Sequence, residues 1–232
     1  MEVSNLPKHV GVIVDGNRRW AKNKSLNPLY GHEVGIKKTL PKIIDYAFSL
    51  EIKEISVWIF STENWDRSLE EIQHLMQLFL AFTDELIRVS FDNKIQVHHV
   101  GRKDRLPKEL IRNLETLENN TECFNKRLNL CIDYGGKDEI SRSVTKLVSD
   151  GIKPKEISVE LINSFVRSCN NFINPPDLII RTGGEQRTSG FMTWDSAYAE
   201  LAFEKTYFPD FTPALLKKWI INYASRERRF GK

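Results

Sequence analysis

The sequence predicts an α/β fold: a mostly parallel central sheet flanked by helices. Three observations carry that expectation. Short β-branched or aromatic runs alternate with stretches of helical period along the chain, the pattern of strand–helix units. The runs are almost continuously apolar, which suits a sheet covered on both faces. No internal repeat, low-complexity tract or Pro/Gly/Ser linker divides residues 1–232, so a single domain is expected.

The expected strands are residues 9–14, 55–60, 95–100, 128–132 and 177–180, each ending at polar or glycine residues. Residues 33–50 carry Val34, Ile36, Leu40, Ile43, Ile44 and Ala47 on one side of a helix, with a kink expected at Pro41. Residues 69–91 hold the clearest helical period: Ile72, Leu75, Met76, Phe79, Leu80, Thr83, Leu86 and Ile87 recur at threes and fours. Ser68 followed by Glu71 is a capping-box pattern at the start of that helix. Residues 108–121, 138–148, 158–172 and 213–224 complete the helices.

Hydrophobic residues make up 41% and charged residues 28% of the chain. That balance excludes a disordered, collagenous or coiled-coil protein and leaves enough apolar material for a full core. The 34 basic and 31 acidic side chains leave a net charge of +3, too even to argue for a nucleic-acid partner. Cys123, Cys131 and Cys169 are odd in number and far apart, so core thiols in a reducing cytoplasm are expected rather than disulfides. The first residues lack a signal layout, and no stretch reaches the roughly 18 apolar residues of a membrane-spanning helix. A cytoplasmic protein with at most peripheral membrane contact is expected.

Ligands of open parallel sheets bind beyond the carboxyl ends of the strands. Four strand ends here carry the residues of anion chemistry: DGNRRW (15–20), STENWDR (61–67), DYGGK (133–137) and RTGGEQRTS (181–189). Glycines let backbone N–H groups approach an anion. Arg18, Arg19, Arg67, Arg181 and Arg187 supply forked donors that match phosphate oxygens. Asp15 among them would repel phosphate unless a cation bridged the two, as Mg²⁺ does through one or two carboxylates; Glu200 is a second candidate. No GxxxxGK[ST], GxGxxG, zinc-protease or DDxxD pattern occurs. Taken singly, Asp15 also reads as a helix cap, Gly135-Gly136 as a tight turn, and His98-His99 as structural.

Seven segments, in order and suitably spaced from about Pro7 to Gly231, closely resemble the cis-prenyltransferases, the undecaprenyl diphosphate synthase family. They are HVGVIVDGNRRW (9–20), Gly31-His32, FSTENWDR (60–67), Tyr134-Gly135-Gly136, DLIIRTGGEQRTSGF (177–191), YAEL (198–201) and RERRFG (226–231). The resemblance implies a parallel-sheet α/β fold with a hydrophobic tunnel, a homodimer, and Mg²⁺-dependent transfer of an allylic prenyl group to isopentenyl diphosphate with a Z double bond. It implies that Asp15 is the metal-linked catalytic acid and that Gly16, Asn17, Arg18 and Arg19 cradle the allylic diphosphate, with Trp20 and His32 lining the same site. Phe60, Ser61, Thr62, Glu63, Asn64, Trp65 and Arg67 resemble a mobile loop that closes over substrate, Asn64 assisting proton removal. Arg181, Arg187, Thr188 and Ser189 resemble the isopentenyl diphosphate site, and Glu200 the second metal contact. Arg229-Phe230-Gly231 resembles a tail that completes the partner subunit's site.

The sequence also departs from the family. Pro28 stands where an arginine is usual, and Arg18, where glycine is frequent, is a compensating cation. Asp133 and Lys137 replace the more usual Asn and Arg; Thr193 and Asp195 flank Trp194 where Leu and Gln are common. The altered diphosphate site makes irregular, non-head-to-tail condensation an alternative. Ile59, Cys131, Ile132, Phe79 and Phe82 are bulky at tunnel positions, so a product of about C15–C35 is expected. A partner subunit without catalysis is a further alternative, although such a chain would lack Asp15 and much of the arginine set.

Overall fold

The computed structural model describes residues 5–169 and 173–226. Six strands form one sheet: β1 (His9–Ile13), β2 (Glu54–Ser61), β3 (Ile95–Val100), β4 (Lys126–Tyr134), β5 (Leu178–Arg181) and β6 (Glu200–Phe203). Their order is β3-β4-β2-β1-β5-β6, and every pairing is parallel. The chain therefore builds outward from β1 in both directions, and the crevice between β1's two neighbours lies at the switch point where such sheets bind ligands. Strand 200–203 is the one the sequence did not predict: four residues, half-exposed at the sheet edge, carry too short a pattern.

Helices cover both faces: α1 (Asn17–Asn23), α2 (Pro28–Val34), α3 (Leu40–Ser49), α4 (Leu69–Val89), α5 (Lys108–Thr121), α6 (Gly136–Ser149), α7 (Val159–Ser168) and α8 (Pro213–Ala224). The expected helix 33–50 starts five residues earlier and is interrupted once. A π-helical turn at Gly35–Thr39 links α2 to α3 without leaving helical backbone, and Pro41 directly follows that turn, where a proline inside a helix interrupts the hydrogen-bond ladder. Residues 170–172 at the end of the expected helix 158–172 lie outside the described residues. Ser68 caps α4 through Glu71 N–H, but the reciprocal half of a capping box is absent, because the Glu71 side chain is used elsewhere.

Valines and isoleucines on one face of the sheet (Val10, Val12, Ile55, Val57) pack under α3, α4 and α8 in the larger core. Ile13, Trp58, Cys131, Tyr134, Ile179 and Phe191 form a separate core on the other face. Cys131, expected on the tunnel, thus belongs to the opposite side of the sheet. A register shift between Trp58 and Phe60 breaks the two-residue alternation, so consecutive Ile59 and Phe60 both join the larger core. Among the described residues, no helix is long and apolar enough to cross a membrane.

Candidate active site

A cleft of about 550 Å³ opens at the carboxyl ends of β1, β2 and β5. Asp15, Gly16, Asn17, Arg18, Arg19, His32, Phe60, Ser61, Asn64, Arg67, Arg181 and Ser189 line it, as the sequence led us to expect. Lys22 and Pro28 complete the polar rim, while Ile36, Ile59, Leu75 and Phe79 form an apolar floor. Five cations, Arg18, Arg19, Lys22, Arg67 and Arg181, face one lining carboxylate, Asp15. The rim is an anion receptor and the floor is a place for hydrocarbon.

Asp15 is held in place by its neighbours rather than capping a helix: Gly16 is the N-cap of α1 and offers no side chain. Asp15 Oδ1 accepts from Gly16 N–H at 2.6 Å, and Arg19 Nη2 lies 3.2 Å away. Arg181 Nη2 and Nε donate to Oδ2 at 2.9 and 3.3 Å. Thr182 grips the Asp15 backbone from both sides, accepting from its N–H at 3.0 Å and donating to its carbonyl at 2.8 Å. Gly16 has φ +99°, and a Cβ there would stand 2.5 Å from the Tyr207 ring, so only glycine lets the chain turn from β1 into α1.

Arg181, nearly buried at 8% side-chain exposure, joins the two halves of the rim. Its Nη1 donates to Ser189 Oγ at 2.7 Å and to the Arg187 carbonyl at 2.6 Å. Arg187 itself does not line the cleft; its Nη1 donates to Glu185 Oε2 at 2.5 Å, and Glu185 Oε1 lies 3.1 Å from Arg19 Nη1.

A second carboxylate, Glu71 in the first turn of α4, gathers the other side of the rim. Arg67 Nη1 donates to Oε1 at 2.9 Å, His32 Nε2 stands 3.4 Å from the same oxygen, and Arg18 Nη1 is 3.5 Å from Oε2. His32 and the cations hold the Glu71 carboxyl below its ordinary pKa, so it stays ionised. Burial lowers the His32 imidazole and the Arg67 guanidinium. His32 reaches this point because Gly31 lets α2 press on α1: a Cβ there would meet Asn17 O at 2.0 Å.

Some expected residues fall elsewhere. Trp20 is buried, 7% exposed, and packs on Tyr30 instead of lining the cleft. Thr62, Glu63, Trp65 and Thr188 are not among the lining residues; Trp65 stacks edge-on against Phe60 behind the wall, 5.2 Å between ring centres. Glu200 pairs in register with Leu178, and Leu178 with Val10. It is therefore at the amino end of the sheet, the rim opposite Asp15, where Arg226 Nη1 donates to it; one chain does not bring Asp15 and Glu200 together. Gly135-Gly136 is no phosphate cradle either: added Cβ atoms would meet Thr62 and Thr193. Phe82 and Ile132 are core residues that do not line the cleft, whereas Ile59 and Phe79 do. Arg228, Arg229, Phe230 and Gly231 lie outside the described residues. Lys22, Glu71, Thr182 and Glu185 were missed as site residues. Lys22 had a signal, being four residues after Arg18 and hence on the same face once 17–23 is helical.

A parallel sheet whose switch-point crevice joins a cationic rim to an apolar floor suits a ligand with an anionic head and a hydrocarbon tail. Residues 13–231 match the family model described as "Putative undecaprenyl diphosphate synthase", and the chain belongs to that prenyltransferase family. It is 39% identical to an isoprenyl transferase of Fusobacterium nucleatum over 231 residues, covering 98% of this chain and 96% of the relative. It is 40% identical over 235 residues to a tritrans,polycis-undecaprenyl-diphosphate synthase (geranylgeranyl-diphosphate specific) of Thermococcus kodakarensis, covering 98% of this chain and 88% of that protein. The fold superposes on lavandulyl diphosphate synthase of Lavandula x intermedia, solved with dimethylallyl diphosphate, with a TM-score of 0.91 at 31% identity, covering 99% and 100% of the two chains.

Proposed function

We propose that this chain condenses an allylic prenyl diphosphate with isopentenyl diphosphate, releasing pyrophosphate and lengthening the prenyl chain by one five-carbon unit with a Z double bond. The observation that carries the proposal is the cleft itself, cationic at its mouth and apolar at its floor. Arg18, Arg19, Lys22 and Arg67 meet the oxygens of the allylic diphosphate, where charge develops as its C–O bond ionises. Arg181 and Ser189 hold the second diphosphate beside it. Asn64, whose Oδ1 accepts from Ser61 N–H at 3.1 Å, is the fixed polar group for assisting proton loss. The growing tail lies along Ile36, Ile59, Leu75 and Phe79, and those bulky floor residues limit it to about C15–C35.

Mg²⁺ is the expected ion, and the residues fit it in a limited form. Asp15, 27% exposed, offers one carboxylate, and Mg²⁺ typically completes its shell with substrate phosphates and waters. Among the described residues no three His, Cys, Asp or Glu side chains converge on a metal position, so within one chain Asp15 would hold the ion alone, with substrate phosphates and water completing its shell. When bound, the ion stabilises the leaving pyrophosphate. Glu200 can join such a site only across an interface between two copies, and a homodimer is part of the proposal.

The test is to incubate the purified chain and Mg²⁺ with isopentenyl diphosphate and C5, C10, C15 or C20 primers, with dimethylallyl diphosphate alone as a further arm, and to size the products. Z-polyprenyl diphosphates from at least one primer, and none from dimethylallyl diphosphate alone, are expected. Products from dimethylallyl diphosphate alone would establish irregular condensation instead. Inactivity alone with activity restored by a second prenyltransferase chain would make this a partner subunit.

A further inference from the structure

Asp133 takes no part in the cleft, yet it is fully buried at the carboxyl end of β4 with φ +53°. Both its oxygens are occupied. Arg105 Nε donates to Oδ2 at 2.9 Å and Arg105 Nη2 donates to Oδ1. Trp65 Nε1–H donates to Oδ1 at 2.9 Å. The Arg105 guanidinium also lies over the Trp65 ring, 5.4 Å from its centre. Trp65 belongs to the 3₁₀ turn Thr62–Asp66, between Asn64 and Arg67, and meets Phe60 edge-on, which in turn meets Phe79 of the cleft floor.

We propose that the Asp133–Arg105 pair is a positioning device that anchors the Ser61–Arg67 segment through Trp65, so that Asn64 and Arg67 are in place before substrate arrives. This rests on the prenyl-transfer proposal only for what Asn64 and Arg67 do, not for the anchor itself. The chemistry fits an anchor. A carboxylate accepting a forked guanidinium and an indole N–H at once makes charge-assisted bonds, with the carboxylate itself fully buried. It also fixes the ring by two routes, a hydrogen bond at its edge and a cation over its face. An asparagine here could accept from the indole but could not form an ion pair with the guanidinium. Both residue types tolerate the left-handed backbone of position 133, so the difference between them is charge.

Asp133→Asn therefore isolates the anchor. It leaves Arg105, 36% exposed, free to be solvated, whereas removing Arg105 would strand a buried carboxylate. Amide hydrogen exchange at residues 61–67 should accelerate about tenfold, the equivalent of one lost charge-assisted hydrogen bond, while β1 and β2 up to Ile59 stay protected. With prenyl diphosphates, kcat should fall about tenfold and binding of inorganic pyrophosphate should weaken less. Trp65→Phe, which removes the N–H together with part of the ring that Arg105 covers, should show the same exchange pattern. Unchanged exchange in both variants overturns the anchor. Faster exchange with unaltered kcat overturns the positioning role. Faster exchange in a protein that transfers no prenyl group under any condition supports the anchor and overturns the proposed function instead.

Discussion

Ile59 is where a single substitution reads out the shape of the floor. It lies at the register shift of β2, 9% exposed, and borders the cleft together with Phe60 and Phe79. Ile59→Ala removes three of its four side-chain carbons from a wall that the tail would touch. One prenyl unit has five carbons, so the space gained is about three-fifths of a unit, and a small yield of Phe79 supplies the remainder. The dominant product should therefore lengthen by one C5 unit and not by several, because Phe60 and Phe79 still close the floor. Stability should fall by less than the roughly 2–5 kcal/mol of an ordinary buried Ile→Ala change, because the vacated space joins an existing cleft. The assay is isotope-labelled isopentenyl diphosphate with a fixed primer, products dephosphorylated and sized by reversed-phase chromatography. An unchanged distribution would refute the plug, and a shift of several units would refute the assignment of Phe79 as the stop.

Two further outcomes follow from the buried charges. Glu71→Gln should raise KM for the allylic diphosphate about tenfold, the equivalent of one charge-assisted bond, with kcat changed less, because Arg18, Arg67 and His32 lose their common partner; steady-state kinetics with unaltered KM would contradict this. Glu139 is fully buried and accepts from Tyr134 O–H at 2.8 Å, and burial pushes its carboxyl up to about 8. The folded state therefore keeps a proton that the unfolded chain gives up above its ordinary 4.5, and stability falls as pH rises from about 4.5 to about 8. Glu139→Gln should abolish that loss, with little gain near pH 4.5 and on the order of 4 kcal/mol by pH 8. Thermal midpoints measured across that range check it, and a gain that does not grow with pH would refute the burial argument.

Five strands and the long helix α4 were legible in the sequence because burial on both faces leaves apolar runs, and a sustained helical period leaves little ambiguity. The short helices α1 and α2 were not, because their surfaces are spent on the cleft: Arg18, Arg19 and Lys22 look like a charged loop until the turn at Gly16 is seen. Edge strand β6 was hidden by its length. Within the site, the arginines and Asp15 stood out through their clustering after strand ends. Thr182 on Asp15 and Glu185 on Arg19 act from behind through contacts between segments distant in sequence, which a linear reading does not reveal; Glu71 is four residues from Arg67, a legible spacing, but its contacts with Arg18 and His32 are again long-range. Glu200 shows the converse, where a motif pointed to a role but the register of β5 and β6 puts the residue at the far rim.

The claim that most of this depends on is that Asp15 serves bond ionisation while the surrounding cations serve binding. The direct measurement is prenyl transfer by the wild type and by Asp15→Asn, with Mg²⁺ and after exhaustive chelation, beside calorimetric titration with inorganic pyrophosphate. Chelation and the substitution should each slow transfer by about a hundredfold or more, while the variant still binds pyrophosphate. Rapid transfer by chelated enzyme, or by Asp15→Asn, would contradict that claim.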